Sequence, residues 1–207
     1  MIAIVDYGVG NLFSLRSSFA ALGAEITVTA DPGVIRSAER IVLPGVGAFG
    51  DAAGKLQATG LDQVLLEQAA AGKPLLGICL GMQLLFTESL EYGCYKGLDL
   101  ISGTVAPIAD VIPAGLKIPH MGWNALQFVG EHPLFRYIRQ GDHVYFVHSF
   151  YASRCEADTI AVTEYGAPLT AAVARDNVMG CQFHPEKSGQ VGLNILRAFL
   201  DMEGVIC

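Results

Sequence analysis

One cysteine stands in a pattern that suits a nucleophile. Cys79 is the centre of Gly77-Ile78-Cys79-Leu80-Gly81, which follows an apolar run and opens a helical pattern. A nucleophile flanked in this way is typical of a sharp turn from strand to helix, where the strained central residue needs small neighbours. Amide groups at the helix N-terminus stabilise a thiolate, and the Leu80 amide would point toward a developing oxyanion. We therefore predict a nucleophile at Cys79 and an oxyanion donor at the amide of Leu80.

The alternative for Cys79 is a structural thiol buried between two packing glycines. The other four cysteines lack this sequence context, and we predict structural thiols at Cys94, Cys155, Cys181 and Cys207. No CxxC pair occurs, which argues against a zinc ribbon or a thioredoxin motif. Because reduced thiols are typical of cytosolic proteins, we expect a cytoplasmic protein. We expect neither a metal nor an organic cofactor.

A thiol nucleophile needs a histidine beside it, and one of the five histidines has a suitable context. His184 and Glu186 follow a strand pattern in Cys181-Gln182-Phe183-His184-Pro185-Glu186. In extended backbone, residues two apart face the same side, and Pro185 disfavours helical geometry at His184. We predict that Glu186 orients the His184 imidazole, as the acid of a catalytic triad does. An exposed loop acid is the alternative, and His120 and His148 are secondary candidates that more often serve as hydrogen-bonded structural groups.

A glycine-rich segment follows the third strand pattern, at Pro44-Gly45-Val46-Gly47-Ala48-Phe49-Gly50. Without side chains at Gly45 and Gly47, its amides can approach a ligand closely. We predict that Gly45 contacts substrate and that the Val46 amide completes an oxyanion hole with Leu80. A phosphate-binding loop is the rival interpretation, but the Lys-Ser/Thr that ends a P-loop is missing.

The composition excludes several classes of protein. The 207 residues are 52% hydrophobic and 16% charged, with a formal charge of −7, which indicates an ordered globular protein and disfavours nucleic-acid binding. The apolar N-terminus meets Asp6 at once, so we expect a buried strand there instead of a signal peptide. The longest apolar stretch is interrupted by Glu67, Lys73 and Pro74, so we expect no membrane span.

Strands alternate with helices in the first half of the chain, which predicts parallel pairing with right-handed crossovers. The predicted helices are a short one ended by Gly23, a weaker one over about 51–71 disturbed by Gly60, one starting at 80–86, and one over 189–202. The predicted strands are 1–6, 25–30, 40–43 and 75–78, followed by the closely spaced 103–108, 117–129, 144–151, 159–165, 169–175 and 178–183. The second group indicates antiparallel strands or hairpins added to the sheet. We predict one α/β domain over 1–207 with three layers, a central, mostly parallel mixed sheet between helices.

Together these residues resemble the class I, triad-type glutamine amidotransferases. The segments 77–83 and 184–186 match that family's nucleophile and His-x-Glu motifs. Within the family, further segments are similar to the amidotransferase subunits of imidazole glycerol phosphate synthases, and these are 6–12, 44–50, 119–124 and 182–188. The resemblance covers essentially the whole chain.

The resemblance implies a function that composition does not. A γ-glutamyl thioester forms on Cys79, and ammonia passes to a (β/α)8 cyclase subunit in a heterodimer of histidine biosynthesis. That cyclase makes imidazole glycerol phosphate and an aminoimidazole carboxamide ribotide, and glutaminase activity depends on it. By resemblance, Gln83 helps to bind glutamine, and Asn11, Trp123 and Lys187 lie near the partner. For Trp123 a core aromatic is the alternative, but its neighbours Gly122 and Asn124 favour a loop at the interface.

Two other functions remain open at this point. Related amidotransferases serve nucleotide, folate or tryptophan synthesis, although the segments 6–12 and 119–124 argue against them. A non-catalytic binding module on the same scaffold would usually lack the nucleophile or the histidine, and this chain has both.

Overall fold

The computed structural model describes residues 1–202, so Cys207 lies outside the described residues. The helices are α1 (Leu12–Ala21), α2 (Pro32–Ser37), α3 (Phe49–Thr59), α4 (Leu61–Ala70), α5 (Leu80–Gln83) and α6 (Gly189–Leu200). The strands are β1 (Ile2–Val5), β2 (Ile26–Thr29), β3 (Arg40–Leu43), β4 (Leu75–Ile78), β5 (Phe86–Ser89), β6 (Tyr95–Lys96), β7 (Ile101–Pro107), β8 (His120–Ala125), β9 (Gln127–Phe128), β10 (His143–His148), β11 (Phe150–Ser153), β12 (Thr159–Glu164), β13 (Pro168–Arg175) and β14 (Val178–Cys181).

The main sheet carries the site at the carboxyl ends of its central strands. Within residues 1–202 its order is β2-β1-β3-β4-β14-β13-β12-β9. The strands from β2 to β14 pair in parallel, whereas β13, β12 and β9 are added antiparallel. The prediction of a mostly parallel mixed sheet is therefore confirmed.

Side chains alternate across this sheet and form two cores. Ala3 and Val5 of β1 belong to a core shared with α2, α3, α4 and α5. Ile2 and Ile4 of the same strand belong to a second core shared with α1 and α6. Because all four residues are buried, β1 reads as a continuous apolar run, as expected for a parallel strand covered on both faces. Helices on both faces give the predicted three layers.

The second half of the chain also builds two smaller sheets, which the sequence prediction did not separate from the main one. Strands β8 and β10 pair antiparallel, and a further sheet has the order β11-β7-β5-β6. Of the strands expected to extend the main sheet, only those over 127–128, 159–164, 168–175 and 178–181 do so. The strand predicted over 144–151 is divided between the two smaller sheets.

The structure tests two of the helix predictions and adds one helix that was not predicted. The predicted disturbance at Gly60 is confirmed, since its φ of 70° divides the expected helix into α3 and α4. The helix expected over 80–86 is only four residues long, because the carbonyls of Leu84 and Leu85 accept from the amides of Leu98 and Leu100 and the chain turns into β5. Helix α2 was not expected, although Asp31 caps its N-terminus.

Over residues 1–202, none of the helices combines the length and apolarity that crossing a membrane requires.

Candidate active site

Cys79 occupies the strained turn between β4 and α5. Its φ of 54° and ψ of −112° lie in a region that residues with side chains rarely adopt. A Cβ on Gly77 would lie 2.7 Å from the backbone of Met82, and one on Gly81 would run into the Leu43 carbonyl. Both flanking glycines are therefore required by close packing. The side chain is nearly buried, with Cys79 8% exposed.

His184 and Glu186 reach the same place from β14, the neighbour of β4. The Cys79 amide donates to the Cys181 carbonyl at 2.8 Å, which joins the two strand ends. His184 Nδ1 lies 2.8 Å from Glu186 Oε1. The reasoning from extended backbone was wrong for Glu186, which lies in a 3-10 turn over Pro185–Lys187. The turn nevertheless brings the carboxylate to the imidazole.

The imidazole of His184 is held by the carboxylate and faces the same cavity as the thiol. Burial alone would lower the pKa of His184, but hydrogen bonds to Cys79 and Glu186 and the charges of both raise it to about 9. With Nδ1 engaged by Glu186, Nε2 is the ring nitrogen left to exchange a proton with Cys79. A cationic imidazole next to sulfur stabilises a thiolate, the reactive form of cysteine.

A cavity of about 360 Å³ opens in front of Cys79, a volume within the usual range for small-molecule sites. Its walls include Val46, Leu80, Gln83, Glu91, His148 and His184. The amides of Val46 and Leu80 have no hydrogen-bond partner among residues 1–202. Two unpaired amides beside the predicted nucleophile are the kind of donor that the predicted oxyanion hole requires.

The glycine-rich segment is held from two sides. Tyr7 donates its hydroxyl hydrogen to the Pro44 carbonyl at 2.7 Å, and the Phe49 amide donates to Glu91 Oε2 at 2.7 Å. Gly45 is required by space, since a Cβ there would lie 2.8 Å from the Tyr7 hydroxyl. Gly47 is required by conformation, since its φ is +96° and nothing lies within 4 Å of a Cβ. Val46 between them is 42% exposed.

Two buried glutamines continue the site behind the sulfur. Gln83 Nε2 lies 3.2 Å from the Phe150 carbonyl and 3.0 Å from Gln182 Oε1. Gln182 Nε2 in turn lies 3.7 Å from Cys79 Sγ. Among residues 1–202 no donor reaches Gln83 Oε1, and Gln83 lines the cavity.

His148 and His120 form a separate chain of hydrogen bonds. His148 Nδ1 lies 2.8 Å from the Phe150 carbonyl, and its Nε2 lies 2.9 Å from His120 Nδ1. His120 Nε2 lies 2.9 Å from Asn124 Oδ1. Burial lowers the pKa of both histidines, that of His148 to about 3. Both are therefore neutral near pH 7 and fit the structural role considered from the sequence.

Comparison with known proteins gives the family. Residues 3–202 match the family model "Glutamine amidotransferase class-I". The chain belongs to this family. It is 50% identical to the imidazole glycerol phosphate synthase subunit HisH of Syntrophotalea carbinolica over 98% of this chain and 100% of that one. It is 48% identical to the subunit of the same name from Methanothermobacter thermautotrophicus, over 98% of both chains.

Solved structures share the fold of this amidotransferase. One described as a crystal structure of glutamine amidotransferase has a TM-score of 0.75 and 18% identity, covering 97% of both chains. The PurLQS structure from Thermotoga maritima has a TM-score of 0.74 and 18% identity, covering 96% of both chains. At such identities the likeness shows the fold alone.

The three residues expected near a partner lie outside the catalytic cavity. Asn11 caps α1, accepting from the Ser14 amide at 3.4 Å. Trp123 lies in strand β8 and not in a loop, so that part of the prediction was wrong, but its side chain is 53% exposed and is not a core aromatic. Its ring packs edge-on against Tyr145, and Lys187 Nζ lies 5.7 Å from the centre of the same Tyr145 ring.

Sequence reasoning missed several residues that touch the site. Glu91 and Gln182 are buried polar side chains that contact the glycine-rich segment and the sulfur, respectively. Tyr7 holds the Pro44 carbonyl. The only sequence signal was the position of Tyr7 and Gln182 inside segments that resemble the family.

Among the other described cysteines, Cys94 is exposed, whereas burial raises the pKa of both Cys155 and Cys181.

Proposed function

We propose that this amidotransferase hydrolyses glutamine through a thioester on Cys79 and supplies ammonia to a (β/α)8 cyclase subunit in histidine biosynthesis. The observation that carries the proposal is the position of His184, which is bonded to Glu186 at 2.8 Å and lines the same cavity as Cys79. The relatives named as subunits of imidazole glycerol phosphate synthase support the pathway. The family match over residues 3–202 supports a single domain. A cytoplasmic location belongs to the same proposal.

In the first step the thiolate attacks the side-chain amide carbon of glutamine, forming a carbon–sulfur bond and an oxyanion. The unpaired amides of Val46 and Leu80 donate to this oxyanion. His184 then gives its Nε2 proton to the leaving nitrogen, the carbon–nitrogen bond breaks, and ammonia departs. The Glu186 carboxylate keeps the imidazole in the orientation that this transfer needs.

In the second step water attacks the thioester. His184, now neutral, accepts a proton from the water, and the carbon–sulfur bond breaks with its electrons returning to sulfur. Glutamate leaves, and the thiolate and imidazolium are restored. No redox partner or metal is needed to balance either step.

The cavity offers groups that suit the amino-acid end of glutamine. Gln83 presents Oε1 as an acceptor, and Glu91 supplies a buried carboxylate against an ammonium group. Burial and the nearby Asp51 raise the pKa of Glu91, while the Phe49 amide opposes this. Gly45 allows the chain to pass close to Leu80, which lines the cavity. We assign Gln83, Glu91 and Gly45 to glutamine binding.

An exposed apolar surface beside the cavity suits the cyclase. Pro119 lines the cavity, and the neighbouring Ile118, Met121 and Trp123 are 44%, 60% and 53% exposed. Large apolar and aromatic side chains on a surface are typical of the buried centre of an interface. Asn11 and Lys187 would contribute polar contacts at its edge. A partner seated here would cover the cavity mouth and receive ammonia without loss to water.

Ammonia release from glutamine tests the proposal, measured with and without a recombinant cyclase subunit of imidazole glycerol phosphate synthase and its nucleotide. We expect low basal release that the cyclase stimulates, because Gly45 and Gly47 leave the 44–47 backbone adaptable and a bound partner should hold the Val46 amide toward the oxyanion. Cys79→Ala should lower stimulated release by about 10⁴-fold or more. Cys94→Ala is the matched control, since it removes an exposed thiol away from the cavity. Near-normal release from Cys79→Ala would reject the proposal.

A further inference from the structure

The side-chain amide of Gln182 is buried against the nucleophile. Gln182 is 0% exposed, follows β14 directly, and donates its backbone amide hydrogen to the Ala171 carbonyl at 2.8 Å. Its side-chain Nε2 lies 3.7 Å from Cys79 Sγ, a suitable distance for a sulfur acceptor. The sulfur therefore has a second polar neighbour besides His184, and none of the steps above uses it.

The direction of this hydrogen bond follows from its neighbours. The Phe150 carbonyl can only accept, so the nitrogen of the Gln83 side chain faces it at 3.2 Å. The same nitrogen donates to Gln182 Oε1 at 3.0 Å. A flipped Gln182 amide would place two NH₂ groups against each other. The orientation therefore points the Gln182 NH₂ group at the sulfur.

We propose that Gln182 is a positioning residue of the nucleophile, which donates from its side-chain amide to Cys79 Sγ and holds the sulfur as a thiolate between two donors. The proposal rests on the proposed function of Cys79 and adds a residue to it. A hydrogen bond to a charged acceptor is roughly twice as strong as one between neutral groups. A buried amide facing sulfur is therefore better satisfied by the thiolate than by the thiol.

Gln182 differs from His184 in having a fixed protonation state. His184 loses its proton to the leaving nitrogen and recovers it from water, so its bond to sulfur changes during the cycle. The amide of Gln182 remains a donor throughout. The chain from the Phe150 carbonyl through Gln83 thus gives the sulfur one constant donor that is independent of the histidine.

Alkylation of Cys79 by iodoacetamide measures this effect without glutamine or a partner. The reagent is uncharged and reacts with the thiolate, so its rate against pH reports the thiolate fraction. The whole chain is used in a Cys94→Ser background, because Cys94 is exposed, and modification at Cys79 is followed by mass spectrometry of the digested protein. Because the proposed function is tested separately by ammonia release, failure of one is distinguishable from failure of the other.

Two variants test the donor. Gln182→Met keeps the length of the side chain and removes the donor, and the midpoint of the rate–pH profile should rise by about one unit, with about tenfold slower alkylation below it. Gln182→Glu keeps an acceptor for Gln83 but places a carboxylate against the sulfur, and its midpoint should rise at least as far. If the first variant fails to fold, Gln182→Leu removes the same donor with a shorter apolar side chain and gives the answer, because the charge in Gln182→Glu raises the midpoint by itself.

Thr163→Val is the matched control. It removes the hydrogen bond of another fully buried residue, from the Thr163 hydroxyl to the Ala125 carbonyl at 3.0 Å, outside the cavity. Its thermal stability should fall while the alkylation midpoint stays at the parent value. An unchanged midpoint in the folded Gln182 variants, or an equal shift in the control, would overturn the proposal.

Discussion

Replacing Glu186 with glutamine tests how much the carboxylate contributes to the site. The Glu186 side chain is 1% exposed and lies 2.8 Å from His184 Nδ1. Its other oxygen, Oε2, is buried without a hydrogen-bond partner among residues 1–202. Burial lowers the pKa of His184, yet bonds and charges from Cys79 and Glu186 raise it from 6.5 to about 9. That difference of about 2.5 units, at about 1.4 kcal/mol per unit, is worth about 3 kcal/mol.

Glu186→Gln keeps the shape and removes the charge. Cys79 and Glu186 both raise the pKa of His184, so about half of the 3 kcal/mol should be lost and cyclase-stimulated kcat/KM for ammonia release should fall by about 10-fold. Glu67→Gln is a suitable control, because Glu67 pairs with Arg36 on the surface, where ion pairs contribute little. A Glu186→Gln turnover within about twofold of the parent would refute the assigned role, since a factor of two is below 1 kcal/mol.

The same substitution has a second readout in the pH dependence of stability. The pKa of His184 is higher in the folded protein than in the unfolded chain, so folding is favoured by its protonation. This stabilisation is complete below pH 6.5 and is lost as the pH rises from 6.5 to about 9. Glu186→Gln should lose less stability across that interval in urea unfolding. An equal loss in both proteins would mean that the charge of Glu186 does not act on His184.

Four further predictions follow from individual contacts. Val46→Pro removes the proposed oxyanion amide and should lower turnover by about 10²–10³-fold, and unchanged turnover in a folded variant would reject that role. Glu91→Gln keeps an acceptor for the Phe49 amide but removes the negative charge. The KM for glutamine should rise about tenfold, with a smaller effect on kcat. An unchanged KM would contradict binding of the glutamine ammonium group by Glu91. Trp123→Ala should weaken binding of the cyclase by about 2 kcal/mol in calorimetry, and an unchanged Kd would place the interface elsewhere. Burial lowers the pKa of His148 to about 3, so the free energy of unfolding should fall by up to about 1.4 kcal/mol per pH unit as the pH drops from 6.5 toward 3. In urea unfolding, His148→Gln should make this fall less steep. An equal slope in both proteins would reject the assignment of a buried, neutral His148.

Local patterns carried most of the fold prediction. Runs such as Ile2–Val5 and Leu75–Ile78 are short and wholly apolar, because both faces of a parallel sheet are covered. The positions of Cys79 and His184 followed from elements ending at one edge of that sheet. The structure brings their side chains together, while their catalytic roles stay a prediction.

Contacts between distant segments could not be predicted. Helix α5 ends at Gln83 because amides some fourteen positions later bind the carbonyls of Leu84 and Leu85 just after it, and no signal within the helix predicts this. Glu91 looks like a loop acid in the sequence, but in the structure it is buried and accepts from the amide of the distant Phe49. Gln182 acquires a partner only where Gln83 and Phe150 meet. Each of these depends on packing across more than ten residues of chain.

A pair of glycines connects the sheet register to the chemistry. Gly77 of β4 lies opposite Gly180 of β14. A Cβ on Gly77 would lie 2.7 Å from the Met82 backbone, and one on Gly180 would lie 2.6 Å from the Met82 side chain. Helix α5 can therefore pack against these two strands only where the two glycines face each other. This pairing places Ile78 beside Cys181. The next residues, Cys79 and Gln182, therefore leave the sheet side by side. His184 follows two positions later, near the sulfur. A slip of one residue in the pairing of β4 with β14 would turn the side chains of β14 to the opposite face of the sheet. The space that Gly77 and Gly180 leave for Met82 therefore also fixes the relative positions of the Cys79 thiol, the Gln182 amide and the His184 imidazole.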